Sequence, residues 1–143
     1  MRITDVIYRG MEIRLVRDSS VVATMVLASE NQNCLSEIRY FNYDKLIRTE
    51  VYTDGLAYAD YFVTAKSEQG LYAKKSRRIY YHKDGSVAYE QIFEGNRLWY
   101  LLPDGRILTK SEFIAEFVER LNVSERDIIL IDRFAQFDYV QPV

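Results

Sequence analysis

The chain has 143 residues, of which 48% are apolar, and a net charge of −2. This length is enough for one domain with its own core, and the charge gives no general attraction to nucleic acid or an anionic membrane. No apolar run reaches the roughly 18 residues of a membrane span, and residues 1–5 do not have the pattern of a signal peptide. The single Cys34 cannot form an internal disulfide. We therefore expect a cytoplasmic chain in which Cys34 is a half-buried thiol on a strand.

Apolar and polar residues alternate with a period of two through about the first 100 residues, which predicts β-strands. Met11, Ile13 and Leu15 share one face of an early strand. Turn-forming pairs such as Asp54-Gly55 and Asp84-Gly85 separate the later strands and favour tight hairpins. Those predicted strands are 35–42, 46–53, 56–65, 71–82, 86–93 and 97–102. Sequential hairpins predict an antiparallel meander. The predicted strand 71–82 has no cleanly apolar face, so we expect a sheet partly wet on both sides.

One helix is predicted at about 109–122. Thr109 and Glu112 have the spacing of a capping box, and an apolar stripe follows them. After this helix, Ile128–Ile131 is a run of branched residues without alternation, typical of a strand buried on both faces. The fold class predicted is therefore α+β, mainly β, with an extended sheet domain over 1–127. Residues 128–143 would begin a return strand into a further lobe that this chain does not contain.

Few residues suggest catalysis or metal binding. His82 is the only histidine, and its place beside a turn favours an exposed structural role. Without a second histidine or a cysteine cluster a zinc site has no ligands, and no glycine-rich loop suits a phosphate group. We expect no metal, no cofactor and no catalytic residue in this segment.

Residues 70–83 form a basic run with interleaved tyrosines and without an acidic residue. It contains Lys74, Lys75, Arg77, Arg78 and Lys83. Stacking aromatics among basic residues can bind single-stranded nucleic acid, and aromatic faces can also bind carbohydrate. A solvated sheet face or a protein interface explains the same pattern. Because the whole chain is acidic, we expect no nucleic-acid partner and keep an autonomous carbohydrate- or nucleic-acid-binding module as the alternative.

Several motifs carry a family resemblance from about residue 39 to 133. They are the run Arg78–Tyr89, then Tyr100, Pro103-Asp104, Lys110–Phe113 and Ile128–Arg133. On these residues the chain resembles the extended β-sheet domain inserted in the catalytic subunit of the accessory-Sec glycosyltransferase. That enzyme adds N-acetylglucosamine to serine-rich repeat adhesins of Gram-positive bacteria, and the teichoic-acid α-glycosyltransferases contain a similar domain.

The resemblance implies a non-catalytic role for this segment. In the family, catalysis and the UDP-sugar site belong to two Rossmann-like lobes of the glycosyltransferase-B type, and no residue of theirs is present here. The β-sheet domain serves assembly, with a partner glycosyltransferase subunit or with itself, and helps to hold the acceptor protein or wall polymer. Peripheral membrane association would come through the parent complex. An excised domain or a fragment would explain the missing lobes.

Aromatic and arginine side chains on the middle strands are the predicted contact surface, because such residues dominate interface energetics. The candidates are Tyr58, Tyr61, Arg78, Tyr80, Tyr89 and Trp99. For Trp99 the alternative is ordinary core packing, together with Tyr100, against Phe113 and Phe117. The edge strands of a meander can also pair between copies, which leaves the oligomeric state open.

Overall fold

In this computed structural model the residues described are 2–29, 32–122 and 124–127. They form one antiparallel sheet of ten strands in chain order, followed by a helix. The strands are β1 Asp5–Arg9, β2 Glu12–Arg17, β3 Ser20–Ser29, β4 Gln32–Asn42, β5 Lys45–Thr53, β6 Gly55–Ser67, β7 Gly70–Tyr81, β8 Val87–Glu94, β9 Arg97–Leu101 and β10 Ile107–Thr109. The predicted α+β meander is confirmed. The predicted strand 128–131 and the boundary after residue 127 lie outside the described residues.

Tight turns set the register of the hairpins. Gly85, at φ 86°, lies in the β7–β8 turn, as the Asp-Gly signal predicted. Asp18 and Ser19 join β2 to β3 with φ 49° and 67°, and Tyr43 and Asp44 join β4 to β5 with φ 47° and 62°. Two successive positive φ angles match the type I′ turns that suit strand twist. The Asp18-Ser19 turn was not predicted, because it contains no glycine.

The centre of the sheet buries polar as well as apolar side chains. The buried apolar residues are Val16, Ala23, Ala59, Ile79 and Tyr100, and the buried polar ones are Thr24, Thr49, Glu50 and Asp60. Within the described part of the chain, the helix is the only element that covers a sheet face, and it contacts β9 and β10. Most strand side chains are accordingly half-buried, which agrees with the expectation of a sheet partly wet on both sides.

The helix α1 spans Lys110–Arg120. Its capping box is formed as predicted: the Glu112 amide donates to Thr109 Oγ1 at 3.3 Å, and the Thr109 amide donates to Glu112 Oε2 at 3.2 Å. The apolar stripe is only partly covered, because Phe117 is 57% exposed and Leu121 is 58% exposed. Over the described ranges, α1 lacks both the length and the apolar character needed to cross a bilayer.

The prediction for Cys34 was half wrong. Cys34 lies on β4, as the strand pattern indicated, but its thiol is exposed. The reason is its place close to the start of β4, where no second layer of the described fold covers the sheet.

Candidate interaction surface

A row of five aromatic rings crosses one face of the sheet from β6 to α1. We call Tyr58, Tyr80, Tyr89, Tyr100 and Phe113 the aromatic row. Tyr58 pairs with Tyr80 and Tyr80 with Tyr89 in the strand register, so the rings share a face. Ring centroids are 5.7 Å apart for the first pair and 4.6 Å for the second, which is stacked. Cross-strand aromatic contacts of this kind stabilise a sheet beyond the area that they bury.

The helix extends the aromatic row. Phe113 stacks on Tyr100 at 4.1 Å with an interplanar angle of 12°, and it lies 4.8 Å from the Tyr89 ring. Gln91 links two hydroxyl groups of the row, because it donates from Nε2 to the Tyr100 hydroxyl at 3.1 Å and its Oε1 accepts the Tyr80 hydroxyl at 3.5 Å. Ring rotation is therefore restricted from both the face and the edge.

An ion cluster lies beside the aromatic row, where β6 meets β7. Arg78 donates from Nε to Asp60 Oδ1 at 2.6 Å and from Nη2 to Oδ2 at 2.8 Å, a bidentate pair. Lys75 Nζ lies 2.9 Å from Asp60 Oδ2. The Arg78 guanidinium carbon also lies 4.1 Å from the Tyr58 ring centroid, close enough for a cation–π contact. The arginine thus ties the buried carboxylate to the aromatic row.

The charges of this cluster are paired with one another. Asp60 is 5% exposed. Burial alone would raise the pKa of Asp60, but the hydrogen bonds from Arg78 and Lys75 outweigh it and hold that pKa below its usual value. The same bond to Asp60 raises the pKa of Arg78. Asp60 is therefore ionised at neutral pH, which makes a role as a proton donor there unsuitable.

A groove of about 480 Å³ opens at the α1 end of the aromatic row. Its apolar lining includes Tyr89, Pro103, Phe113 and Phe117. The turns that follow β7 and β9 form its other walls, with the exposed His82 at one of them. An apolar floor with a polar border is the usual build of a binding groove.

Ion pairs form the border of this groove. Arg106 donates from Nε to Asp104 at 2.7 Å and from Nη2 to Glu116 Oε1 at 2.8 Å, and Arg120 Nη2 lies 3.0 Å from the same Glu116 oxygen. The bond from Arg106 is the main cause that lowers the pKa of Glu116. Both signs of charge are therefore present at the border, fixed by mutual pairing across the α1–β10 junction.

The opposite face of the sheet has a smaller cluster. The Arg48 guanidinium lies 5.7 Å from the Tyr40 ring centroid and 5.2 Å from that of Tyr61. Glu50, 7% exposed, accepts the Tyr52 hydroxyl at 2.5 Å and lies 3.2 Å from Arg48. Burial and this hydrogen bond raise the pKa of Tyr52. The two faces thus repeat one arrangement, a buried carboxylate held by arginine among tyrosines.

Comparison with known proteins assigns the chain to a family. The model of the GtfA extended beta-sheet domain matches residues 8–104. The chain belongs to this family. The sequence resemblance is thereby confirmed.

Similar proteins include subunits of bacterial glycosyltransferases. One, described as the UDP-N-acetylglucosamine–peptide N-acetylglucosaminyltransferase GtfA subunit of Streptococcus agalactiae, is 29% identical over 117 residues, which is 82% of this chain and 22% of that protein. The subunit of the same name from Streptococcus gordonii is 30% identical over 77% of this chain and 21% of its own length. A crystal structure of a GtfA/B complex superposes with a TM-score of 0.69 at 26% identity, covering 87% of this chain and 24% of that one. The chain therefore spans about a fifth of the length of these curated relatives.

The fold does not bring all six predicted contact residues together. Tyr58, Arg78, Tyr80 and Tyr89 share the face of the aromatic row. Tyr61 lies on the opposite face with Arg48, and the register places Trp99 on that face as well. The cause is the period of two, since an odd sequence offset within a strand reverses the face. All six are half-buried rather than fully exposed.

Sequence reasoning missed the two buried carboxylates, Asp60 and Glu50. Each lies in the middle of a strand among apolar and aromatic neighbours, where an acidic residue is uncommon, and that position was the available signal. The core-packing alternative is correct for Tyr100, which stacks on Phe113, whereas Trp99 lies on the other face.

The basic run at 70–83 does not form one basic track. Lys75 and Arg78 are paired with Asp60, while Arg77 lies over the Tyr61 ring on the opposite face at 4.8 Å. Lys83 lies 3.5 Å from Asp54 at a turn. Over the described ranges, no cluster of three or more histidine, cysteine or acidic residues has the proximity needed for a metal ion.

Proposed function

We propose that this chain is the non-catalytic assembly and acceptor-binding domain of a bacterial glycosyltransferase. The parent enzyme would be of the glycosyltransferase-B type and would transfer a sugar from a UDP-sugar to a protein Ser or Thr or to a wall polymer. The observation that carries the proposal is the family match over residues 8–104, in relatives named as subunits of an N-acetylglucosaminyltransferase. The chain corresponds to about a fifth of those proteins, and in this proposal the donor site and the catalytic groups lie in the remainder.

The aromatic row and the adjoining groove form the proposed contact surface. Tyr58, Arg78, Tyr80 and Tyr89 are half-buried, and stacking or ion pairing already fixes each of them. A partner that covers such side chains pays little additional conformational entropy, which is why tyrosine and arginine are frequent in interface hot spots. Phe117, 57% exposed in the groove, adds apolar area that a partner can remove from water.

The chemistry of the groove suits a glycosylated polypeptide or a polyol-containing polymer. Flat aromatic faces provide apolar surface for the ring of a sugar, and the Arg106, Asp104 and Glu116 groups at the border provide hydrogen-bond donors and acceptors for hydroxyls. The same surface can contact a partner glycosyltransferase subunit, as the existence of a GtfA/B complex for a similar protein supports. Peripheral membrane association would follow from that assembly and needs no membrane-binding element in this domain.

Binding to a GtfB-type subunit tests the assembly part of the proposal. Phe117→Ala removes exposed apolar area and should weaken the complex by about tenfold or more, because truncating a central interface aromatic has effects of that order. Tyr43→Ala is the matched control, since Tyr43 is 89% exposed at the β4–β5 turn, far from the groove in the sheet order. Equal affinity of both variants in a titration would contradict the proposed surface.

Two further measurements test the acceptor and catalytic parts. A serine-rich peptide that carries N-acetylglucosamine should shift the NMR signals of the groove residues, whereas the sugar-free peptide should shift them less. Incubation of the chain alone with a UDP-sugar and the peptide should give no transfer. Sugar transfer by this chain would show that the domain is itself an enzyme and would overturn the non-catalytic assignment.

A further inference from the structure

The β6–β7 hairpin continues past its last pairing with the strands on either side. The pairing of β5 with β6 ends at Arg48 and Tyr61, and the pairing of β7 with β8 ends at Arg77 and Ile92. Beyond these pairs, and among the residues that the structure describes, residues 62–76 form strand pairs only with one another. We call residues 62–76 the arm, which at about 3.4 Å per residue is roughly 20 Å long.

The arm lies at the end of the sheet remote from the groove. Turns alternate between the two ends of a meander, and the groove is lined by the turns that follow β7 and β9, whereas the arm ends in the turn that follows β6. A β-bulge at the base of the arm, where Ser76 is the additional residue, sets its direction. The Ser76 hydroxyl donates to the Tyr61 carbonyl at 3.1 Å and stabilises this bulge. The arm is therefore a separate surface with a defined orientation.

Apolar side chains on the arm are exposed to water. Val63 is 52% exposed, Leu71 58% and Tyr72 45%. A hairpin of only two strands is marginally stable in water, and packing against a helix or a further strand is what normally stabilises it. Within the described part of the chain, α1 contacts β9 and β10 and leaves the arm uncovered. A partner that covers these side chains would therefore stabilise the arm as well as bind to it.

One face of the arm combines apolar and basic side chains. The strand register places three cross-strand pairs on the face away from the aromatic row. They are Tyr61–Arg77, Val63–Lys74 and Ala65–Tyr72. We call these six residues the arm face. Its β6 side presents aliphatic and aromatic carbon, and its β7 side contributes two cations and a tyrosine.

The two cations of the arm face differ from their neighbours in charge pairing. Lys75 and Arg78, on the other face of the sheet, both pair with Asp60. Lys74 and Arg77 form no ion pair with any residue that the structure describes, although the chain as a whole has a net charge of −2. Their positive charge can therefore attract a negatively charged partner.

We propose that the arm face docks an amphipathic helix of another protein, with the apolar stripe of that helix against β6 and an acidic flank against β7. An apolar sheet face is stabilised when another element packs on it. Two neighbouring strands about 4.8 Å apart present, with their side chains, a strip close to the diameter of a helix, about 10–12 Å. The three pairs extend over about 14 Å, which matches roughly nine helical residues. This contact is independent of the groove and of its proposed role.

The surroundings of Tyr61 favour a peptide over a nucleic acid. The guanidinium groups of Arg48 and Arg77 lie 5.2 Å and 4.8 Å from the Tyr61 ring centroid, and they come from the strands on either side of it. Both faces of the Tyr61 ring are thereby occupied, whereas stacking of a base needs a free aromatic face. Val63 and Ala65 add aliphatic area, which the apolar side chains of a helix cover better than phosphate groups do.

Binding of a designed peptide tests the arm face. The probe is a fluorescein-labelled peptide of about 14 residues with a helical leucine stripe and glutamates along one flank, and the control peptide has lysine in place of each glutamate. The acidic peptide should bind with a dissociation constant below about 1 mM, and more weakly as the salt concentration rises. The basic peptide should bind about tenfold more weakly or less. Lys74→Glu and Val63→Ser should each weaken binding of the acidic peptide by about fivefold or more.

The other face of the arm supplies matched controls. Lys66→Glu makes the same change of charge as Lys74→Glu, and Leu71→Ser removes apolar area as Val63→Ser does. Lys66 and Leu71 are exposed and pair with each other on the face of the aromatic row. Each control should therefore leave the affinity for the acidic peptide within about twofold of that of the unmodified chain. An unchanged urea midpoint shows that a variant retains the fold.

Three results would overturn the proposal: equal binding of the acidic and basic peptides, no measurable binding of either at about 1 mM, or equal losses after Lys74→Glu and Lys66→Glu. Displacement of the acidic peptide by oligo-deoxythymidine would assign the arm face to a nucleic acid and overturn it as well. Lys74→Glu should still bind a GtfB-type subunit, and Phe117→Ala should still bind the acidic peptide. A failure at the arm is therefore distinguishable from a failure at the groove.

Discussion

Replacing Arg78 with alanine should destabilise the fold by about 2–3 kcal/mol. Removing one partner of a fully buried ion pair costs about 3–5 kcal/mol, because the other charge remains desolvated. Two features of the structure lower that figure. The Arg78 side chain is 22% exposed, and Lys75 remains 2.9 Å from Asp60 as a second cation. The loss of the contact with the Tyr58 ring acts in the opposite direction.

Urea unfolding followed by the fluorescence of Trp99, the only tryptophan, measures this cost by linear extrapolation. Arg97→Ala is the matched control: that side chain is exposed on β9 and should change stability by less than about 0.5 kcal/mol. The decisive comparison repeats Arg78→Ala in an Asp60→Asn background, where the buried charge is gone and the cost should fall by half or more. The same cost in both backgrounds would refute the coupling that the geometry indicates.

Three other outcomes follow from the structure. The pairing with Arg78 and Lys75 holds the pKa of Asp60 below its usual value. The stability that the Asp60 charge provides is therefore complete above about pH 3.9, and it is lost as the pH falls through the lower pKa of the folded state. Asp60→Asn should flatten the acid side of a plot of urea midpoint against pH. Thr109→Ala removes the hydroxyl of the capping box and should cost about 1 kcal/mol in urea unfolding, with Thr109→Ser close to the unmodified chain. Gly85→Ala should lower the free energy of unfolding by about 1 kcal/mol. Backbone strain at φ 86° is the only cause, because the added methyl group meets no atom within 4 Å. An unchanged melting temperature would contradict this account of backbone strain.

The architecture was accessible from the sequence because a meander is encoded locally. Each hairpin depends on a short alternating run and a turn, as at Asp84-Gly85, and no long-range pairing must be guessed. The capped helix was predictable for the same reason, since Thr109 and Glu112 are three residues apart. Turns without glycine, such as Asp18-Ser19, were not predicted, because aspartate and serine occur in many other loop conformations.

The site was only partly predictable. Composition identified the tyrosines and Arg78. The face of the sheet on which each lies depends on its parity, that is, on whether its position in the strand is odd or even, and β-bulges alter that parity. One such bulge lies in the β6–β7 pairing at Tyr61 and Phe62. Parity alone separates Tyr61 from Tyr58, three positions apart on β6. The partner of Arg78 is 18 residues away in the chain, and only the register of two long strands brings Asp60 opposite it.

Over the described residues, one short helix is all that covers a face of the sheet, so the sheet has to stabilise its surfaces with the side chains that it exposes. The aromatic row and the Asp60–Arg78 pair do this, and they are also the groups that a partner would contact. Stability and binding are therefore coupled at Arg78 and Tyr80, where a loss of binding after substitution by alanine would be confounded by a loss of folding. Phe117 escapes this coupling because it is largely exposed. A fall in affinity after Phe117→Ala without a change in the urea midpoint would consequently locate the contact, whereas the same fall after Arg78→Ala would not.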